Sequence, residues 1–179
     1  MAHLAPRLRR ILVTISLSVT LLMTSAIGAR PASATTPSTA TSWYISNRVF
    51  DLINAERAAH YLPALHRNAY LNLSAYRHDV TMAKYNTMSH LLPGELSFGG
   101  RIINAGYNWR SCGENIAWNS DWTLAGAYYL ERLMYNEVAP YNGHRLNILN
   151  RYYRDVGVYI YMDGVHHKMW LTVDFGLHM

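Results

Sequence analysis

Cysteine is nearly missing from this sequence: Cys112 is the only one in 179 residues. No intramolecular disulfide can form, so stability must come from packing. A basic stripe of the kind that tracks a nucleic-acid backbone is also missing, and no nucleic-acid partner is expected. The apolar run Ile11 to Met23 is too short for a membrane-spanning helix. Neither H-E-x-x-H nor G-x-S-x-G occurs, and Cys112 has no sequence-identifiable catalytic partners, which removes the most recognisable metalloprotease and serine-hydrolase signatures. No internal repeat is apparent.

What is present begins with an export signal over residues 1–34. Arg7, Arg9 and Arg10 precede the apolar run, and Ala32-Ser33-Ala34 offers an A-x-A cleavage site, with Ala26-Ile27-Gly28 a looser second candidate. The alternative is an uncleaved anchor; on either reading the remainder lies outside the cytoplasm. Cleavage after Ala34 removes four arginines and no acidic residue. Lys plus Arg then falls from 16 to 12 against 11 Asp plus Glu, a net charge of +1 rather than +5. Residues 35–42, TTPSTATS, read as a Ser/Thr/Pro-rich tether. Residues 43–179 are enough for one domain, and the 14 tyrosines predict an aromatic, partly polar interior.

Thr41 or Ser42 is placed to cap a helix carrying Ile45, Val49, Leu52, Ile53 and Ala59 on one face and ending before Pro63. A second helix over about 68–85 aligns Leu71, Ala75, His78 and Met82. Residues 101–105 read as a short helical piece closed by Gly106, and 111–119 as extended chain. Asp121 is the expected cap of a helix from Trp122 to about Glu137, with Ala127, Leu130 and Met134 as its stripe and Glu137 at its end. Residues 155–162 and 168–175 read as an antiparallel hairpin turning at Asp163-Gly164.

Several blocks in this order are distinctive: Leu52-Ile53-Asn54-Ala55-Glu56-Arg57, Ser89-His90, Arg101 through Tyr107, Gly113-Glu114-Asn115-Ile116-Ala117, Gly143-His144-Arg145-Leu146-Asn147-Ile148-Leu149, and Thr172-Val173-Asp174-Phe175-Gly176. Together they resemble the CAP superfamily of cysteine-rich secretory, antigen 5 and pathogenesis-related proteins, in its short bacterial secreted branch. The resemblance implies an α+β fold, a three-layer α-β-α sandwich with a small, mostly antiparallel sheet. It also implies a cleft where His90, Glu114, Glu137 and His144 converge. The chain departs from the family's usual pattern in its lone cysteine and in Met134, where Trp is usual.

Two imidazoles and a carboxylate meeting at one point suit Zn²⁺ or another divalent cation, with His90 and His144 as ligands and either Glu able to orient an imidazole. Glu114 and Glu137 are also the candidate catalytic carboxylates of a metal-assisted peptide or ester hydrolase. A third reading makes the four residues a hydrogen-bonded cluster fastening Gly113–Ala117 to Gly143–Leu149. The reading that fits best is a secreted binding module for a divalent metal and a small apolar or lipid ligand, with Asn147 in support. Trp109, Trp118 and Trp122 are candidate groove residues. His60, His66 and His78 are expected to be surface or internally satisfied residues, His166-His167 a solvated pair, and the Asn72-Leu73-Ser74 sequon unused. An open cleft favours a functional site, whereas Tyr141 folded over the histidines would favour the structural cluster.

Overall fold

The computed structural model describes residues 37–179; the segment read as an export signal and the first residues of the segment read as a tether lie outside them. Among the described residues no helix is long and apolar enough to cross a membrane. Five helices and four strands follow in order: α1 (Thr39–Ala59), β1 (His66–Arg67), α2 (Ala69–Tyr85), α3 (Phe98–Ala105), β2 (Trp109–Asn119), α4 (Leu124–Tyr135), α5 (Gly143–Ile148), β3 (Asp155–Asp163) and β4 (Lys168–His178).

The sheet runs β1-β3-β4-β2, with β1 parallel to β3 and the other two pairings antiparallel. Helices cover both faces. On one side Ile45, Val49 and Ile53 of α1 and Ala127, Leu130 and Met134 of α4 pack on Val156, Val158 and Ile160 of β3 and on Leu171, Val173 and Phe175 of β4. On the other, Leu71 of α2 meets Ile102 of α3, while Met82 packs with Trp170 and Ile116. Because both faces of β4 are covered, its residues Met169 through Gly176 are all buried. The face toward α1 and α4 is apolar throughout, whereas the face toward α2 carries the buried polar residues Thr172 and Asp174. The expected three-layer α+β sandwich is what the chain forms.

Element ends differ from expectation where caps decide them. Ser38, not Thr41 or Ser42, caps α1: its Oγ accepts from the Thr41 N–H, so the helix begins inside the segment read as a tether. Ala59 is exposed at the far end of that helix. Asp121 does not cap α4. Its side chain accepts from the Thr123 N–H, and Thr123 caps the helix by accepting from Gly126. The helix then stops at Tyr135, so Glu137 leaves the apolar stripe and belongs to the loop leading to α5. Gly106 closes α3 at φ 108° as expected, and Asn68 caps α2, its side chain accepting from the Tyr70 and Leu71 N–H groups.

Candidate functional site: a cleft with two histidine–carboxylate pairs

The loop after α2 carries His90, β2 carries Glu114, the loop after α4 carries Glu137, and α5 carries His144 and Asn147. All five line one cleft of about 550 Å³, together with Tyr141 and Gly143. They meet there as two separate pairs rather than at one point. His90 Nδ1 lies 2.7 Å from Glu114 Oε1, and His144 Nδ1 lies 2.5 Å from Glu137 Oε1. Among the described residues no group of three or more His, Cys, Asp and Glu side chains gathers closely enough to hold a metal ion.

Each carboxylate fixes its imidazole firmly. The second oxygen of Glu137 accepts the backbone N–H of His144 at 3.0 Å, so one carboxylate grips both the ring and the start of α5. Glu114 is buried and ion-paired with Arg101, whose other nitrogen donates to the His90 carbonyl at 2.8 Å. Arg101 thus ties the loop of His90 to the carboxylate that orients it. Burial pushes the Glu114 carboxyl up, but the hydrogen bond from His90 and the positive charges of His78 and Arg101 outweigh it and leave Glu114 below the usual range. A carboxylate on Nδ1 favours the tautomer with the ring proton there, which leaves Nε2 as the nitrogen that faces a ligand. Neither Nε2 has a hydrogen bond among the described residues. The rings stay accessible, with His90 52% and His144 34% exposed at the side chain, and Tyr141 stands 86% exposed without closing the cleft.

The fastening of β2 to α5 falls to the asparagines. Asn115 Nδ2 donates to the His144 carbonyl at 3.1 Å, and Asn147 Nδ2 donates to Asn115 Oδ1 at 2.8 Å and to the Glu114 carbonyl. Asn147 therefore links α5 to β2 through the Asn115 side chain and the Glu114 carbonyl. Gly113 is required beside it: a Cβ there would stand 2.7 Å from Asn147 Oδ1 and from the Tyr153 hydroxyl.

Sequence reasoning missed the layer beneath the pairs. His78, fully buried, faces Glu95 at 3.0 Å and Glu114 at 3.9 Å. Asp79 accepts from the Thr172 hydroxyl at 2.6 Å, and Asp174 sits opposite Glu114 in the β2–β4 register. Burial raises the carboxyls of Asp79 and Asp174 well above their ordinary value, and the negative charge of Glu114 raises both further. The signal was there: Thr172 and Asp174 alternate on the face of β4 toward α2, where Ser74, His78 and Asp79 are buried.

The other candidates separate. Trp109 donates to the Gly99 carbonyl and packs near Leu71, and Trp122 stacks on His167 at 4.3 Å, so neither lines a groove. Trp118 does, on a smaller apolar groove of about 250 Å³ with Met88 and Leu133 that shares Glu137 and His144 with the cleft. His60 bonds the Tyr135 hydroxyl, and His166 is held by Asp163 at 2.7 Å. The Asn72 side-chain oxygen accepts from Arg67 and from the Val158 N–H.

An α-β-α sandwich with a His/Glu cleft over its sheet defines a class of domain rather than a reaction. The sequence profile of the cysteine-rich secretory protein family (CAP) matches residues 50–175, and the chain belongs to that family. Among solved structures, an extracellular SCP-domain protein from Bacillus anthracis is 28% identical with a TM-score of 0.61, over 75% of this chain and 41% of that one. The chain thus spans about two fifths of that protein's length. An outer surface protein of Borrelia burgdorferi is 16% identical with a TM-score of 0.65, over 76% of this chain and 94% of that one. NaASP2, solved with Zn²⁺, is 13% identical with a TM-score of 0.57, over 79% and 84%. These last two likenesses show the fold alone. No curated protein sequence matches the chain.

Proposed function

We propose that the protein is an exported binding module whose cleft takes up Zn²⁺ or a similar divalent cation on His90 and His144, with Glu114 and Glu137 orienting the two rings. The observation that carries this reading is the double pairing: each Nδ1 is engaged by a carboxylate and each Nε2 is left without a partner on one open cleft. A carboxylate behind a metal-binding imidazole fixes its tautomer and raises its basicity. Two protein donors leave further positions to water or to a ligand atom, so affinity is modest. The Zn²⁺ in the NaASP2 structure supports the reading at the level of the fold. The groove of Met88, Trp118 and Leu133 supports a ligand with an apolar or lipid-like part beside the metal. Export is supported by the N-terminal signal pattern and by the extracellular description of the Bacillus anthracis protein.

Calorimetric titration of metal-free protein with Zn²⁺ tests the proposal. A protonated imidazole has no lone pair to give, so binding at about pH 7.5 should exceed binding at about pH 5.5, on either side of the ordinary histidine pKa of about 6.5. His90→Ala and His144→Ala should each abolish it, and Glu137→Gln should weaken it about tenfold. Equal binding by the double histidine variant would leave the pairs as structural elements. Zn²⁺ uptake without hydrolysis of peptides or esters above a metal-free blank would retain the binding module and remove the hydrolase.

A further inference from the structure

A second cavity, of about 530 Å³, lies between the start of α1, the first turns of α2, and β3, and shares no residue with the His/Glu cleft. Its volume is that of a small-molecule site. Trp43, Leu73, Tyr76 and Tyr159 make its walls. The Tyr76 and Tyr159 rings meet 4.9 Å apart at 58°, and Trp43 is 45% exposed, so a flat ring placed among them would take aromatic surface out of water.

Arg67 gives the cavity its charge. Nη1 donates to Asn72 Oδ1 and Nη2 to the Ser46 carbonyl, both at 2.9 Å, and the guanidinium lies between the Trp43 and Phe50 rings, 4.6 and 5.2 Å from their centroids. None of these partners is anionic. Among the described residues Arg67 makes no ion pair; the carboxylate that acts on it, Asp51, is itself paired with Arg48 at 3.0 Å. Its Nε is shielded from water and has no acceptor. A half-buried guanidinium with a spare donor beside an aromatic cavity is left incomplete, because a desolvated charge without a counter-ion is costly and an unmet buried donor adds to that cost.

We propose that this cavity binds a small aromatic carboxylate, its ring against Trp43, Tyr76 and Tyr159 and its carboxylate paired with the Arg67 guanidinium that lines the cavity. The charge selects an anion over a neutral ring of the same shape. The aromatic walls select a flat body over a bare inorganic anion.

Equilibrium dialysis of the purified protein with naphthalene-2-carboxylate and naphthalene-2-carboxamide tests this. The carboxylate should bind at least about tenfold more tightly than the amide, the step that one charge-assisted hydrogen bond supplies over a neutral one. Arg67→Gln should bring the two affinities together. Leu73→Trp, at a part-exposed position on α2, fills the cavity and should remove both; this variant decides the matter if Arg67→Gln does not fold. His90→Ala should bind the carboxylate as the parent does, which separates this site from the metal cleft. Equal affinity of the parent for the two probes, no binding of either below about 1 mM, or parent-like binding by Leu73→Trp would overturn the proposal.

Discussion

Cys112 illustrates how far a single residue can be read in advance. With no second cysteine it forms no intrachain bridge, and its thiol is half-buried beside Trp109 and Phe98. Burial, together with the negative charges of Asp174 and Glu114, pushes the thiol up to about 11, so little thiolate exists near neutrality. Cys112→Ser should leave the melting temperature nearly unchanged with or without reductant, and the parent should alkylate slowly with iodoacetamide at about pH 8, below even the ordinary thiol pKa. A stability loss confined to oxidising conditions would reveal an intermolecular disulfide. Glu56 and Glu131, by contrast, were not singled out in the sequence, yet they fall at helical spacing from Ile53 and Ala127 and both are buried. Burial raises Glu56 to about 7 from an ordinary 4.5 and Glu131 well above its own. The folded state therefore holds protons that the unfolded chain releases. This contribution to stability is full below about pH 4.5 and is lost as pH rises through about 7. Thermal melts from pH 4.5 to 7.5 should show that decline, and Glu131→Gln, which removes the neighbouring acid, should flatten it; an unchanged profile would dissociate the pair from it.

At the scale of the element, periodicity located the long helices and the hairpin, because a buried face repeats every 3.6 residues along a helix and every second residue along a strand. Caps were less legible: Ser38, Ser42 and Thr41 are chemically near-equivalent, and which one caps depends on where the chain turns into the domain. Asn68 caps α2 with its side chain, and Asn68→Ala should cost about 1 kcal/mol in a denaturant titration. Gly157 carries a sharper constraint. A Cβ there would lie 2.1 Å from the Leu71 carbonyl carbon and 2.3 Å from the Asn72 nitrogen, so α2 rests on β3 through bare backbone. Gly157→Ala should destabilise by about 3 kcal/mol or more, since backbone on both sides cannot shift as a flexible side chain can. A loss under about 1 kcal/mol would mean that the layers are looser than this contact implies.

For the whole molecule, the prediction concerns export. The secreted form should begin at or near Thr35, four residues before α1, and N-terminal sequencing checks it; an intact Met1 or Ala2 recovered from membranes would identify an anchor instead. The sequence by itself determined that no intrachain disulfide forms, the main helices and hairpin, and, through its ordered motifs, the family. These properties are local or cumulative along the chain. Only the tertiary structure decided how the four cleft residues combine. His90 and Glu114 are 24 positions apart and His144 and Glu137 seven, and no helical or strand spacing brings either pair together. The same holds for the buried acids beneath them, where Asp79 meets Thr172 across 93 positions. Their state depends on burial and on the charge of Glu114, both of which exist only once α2 has packed on β4.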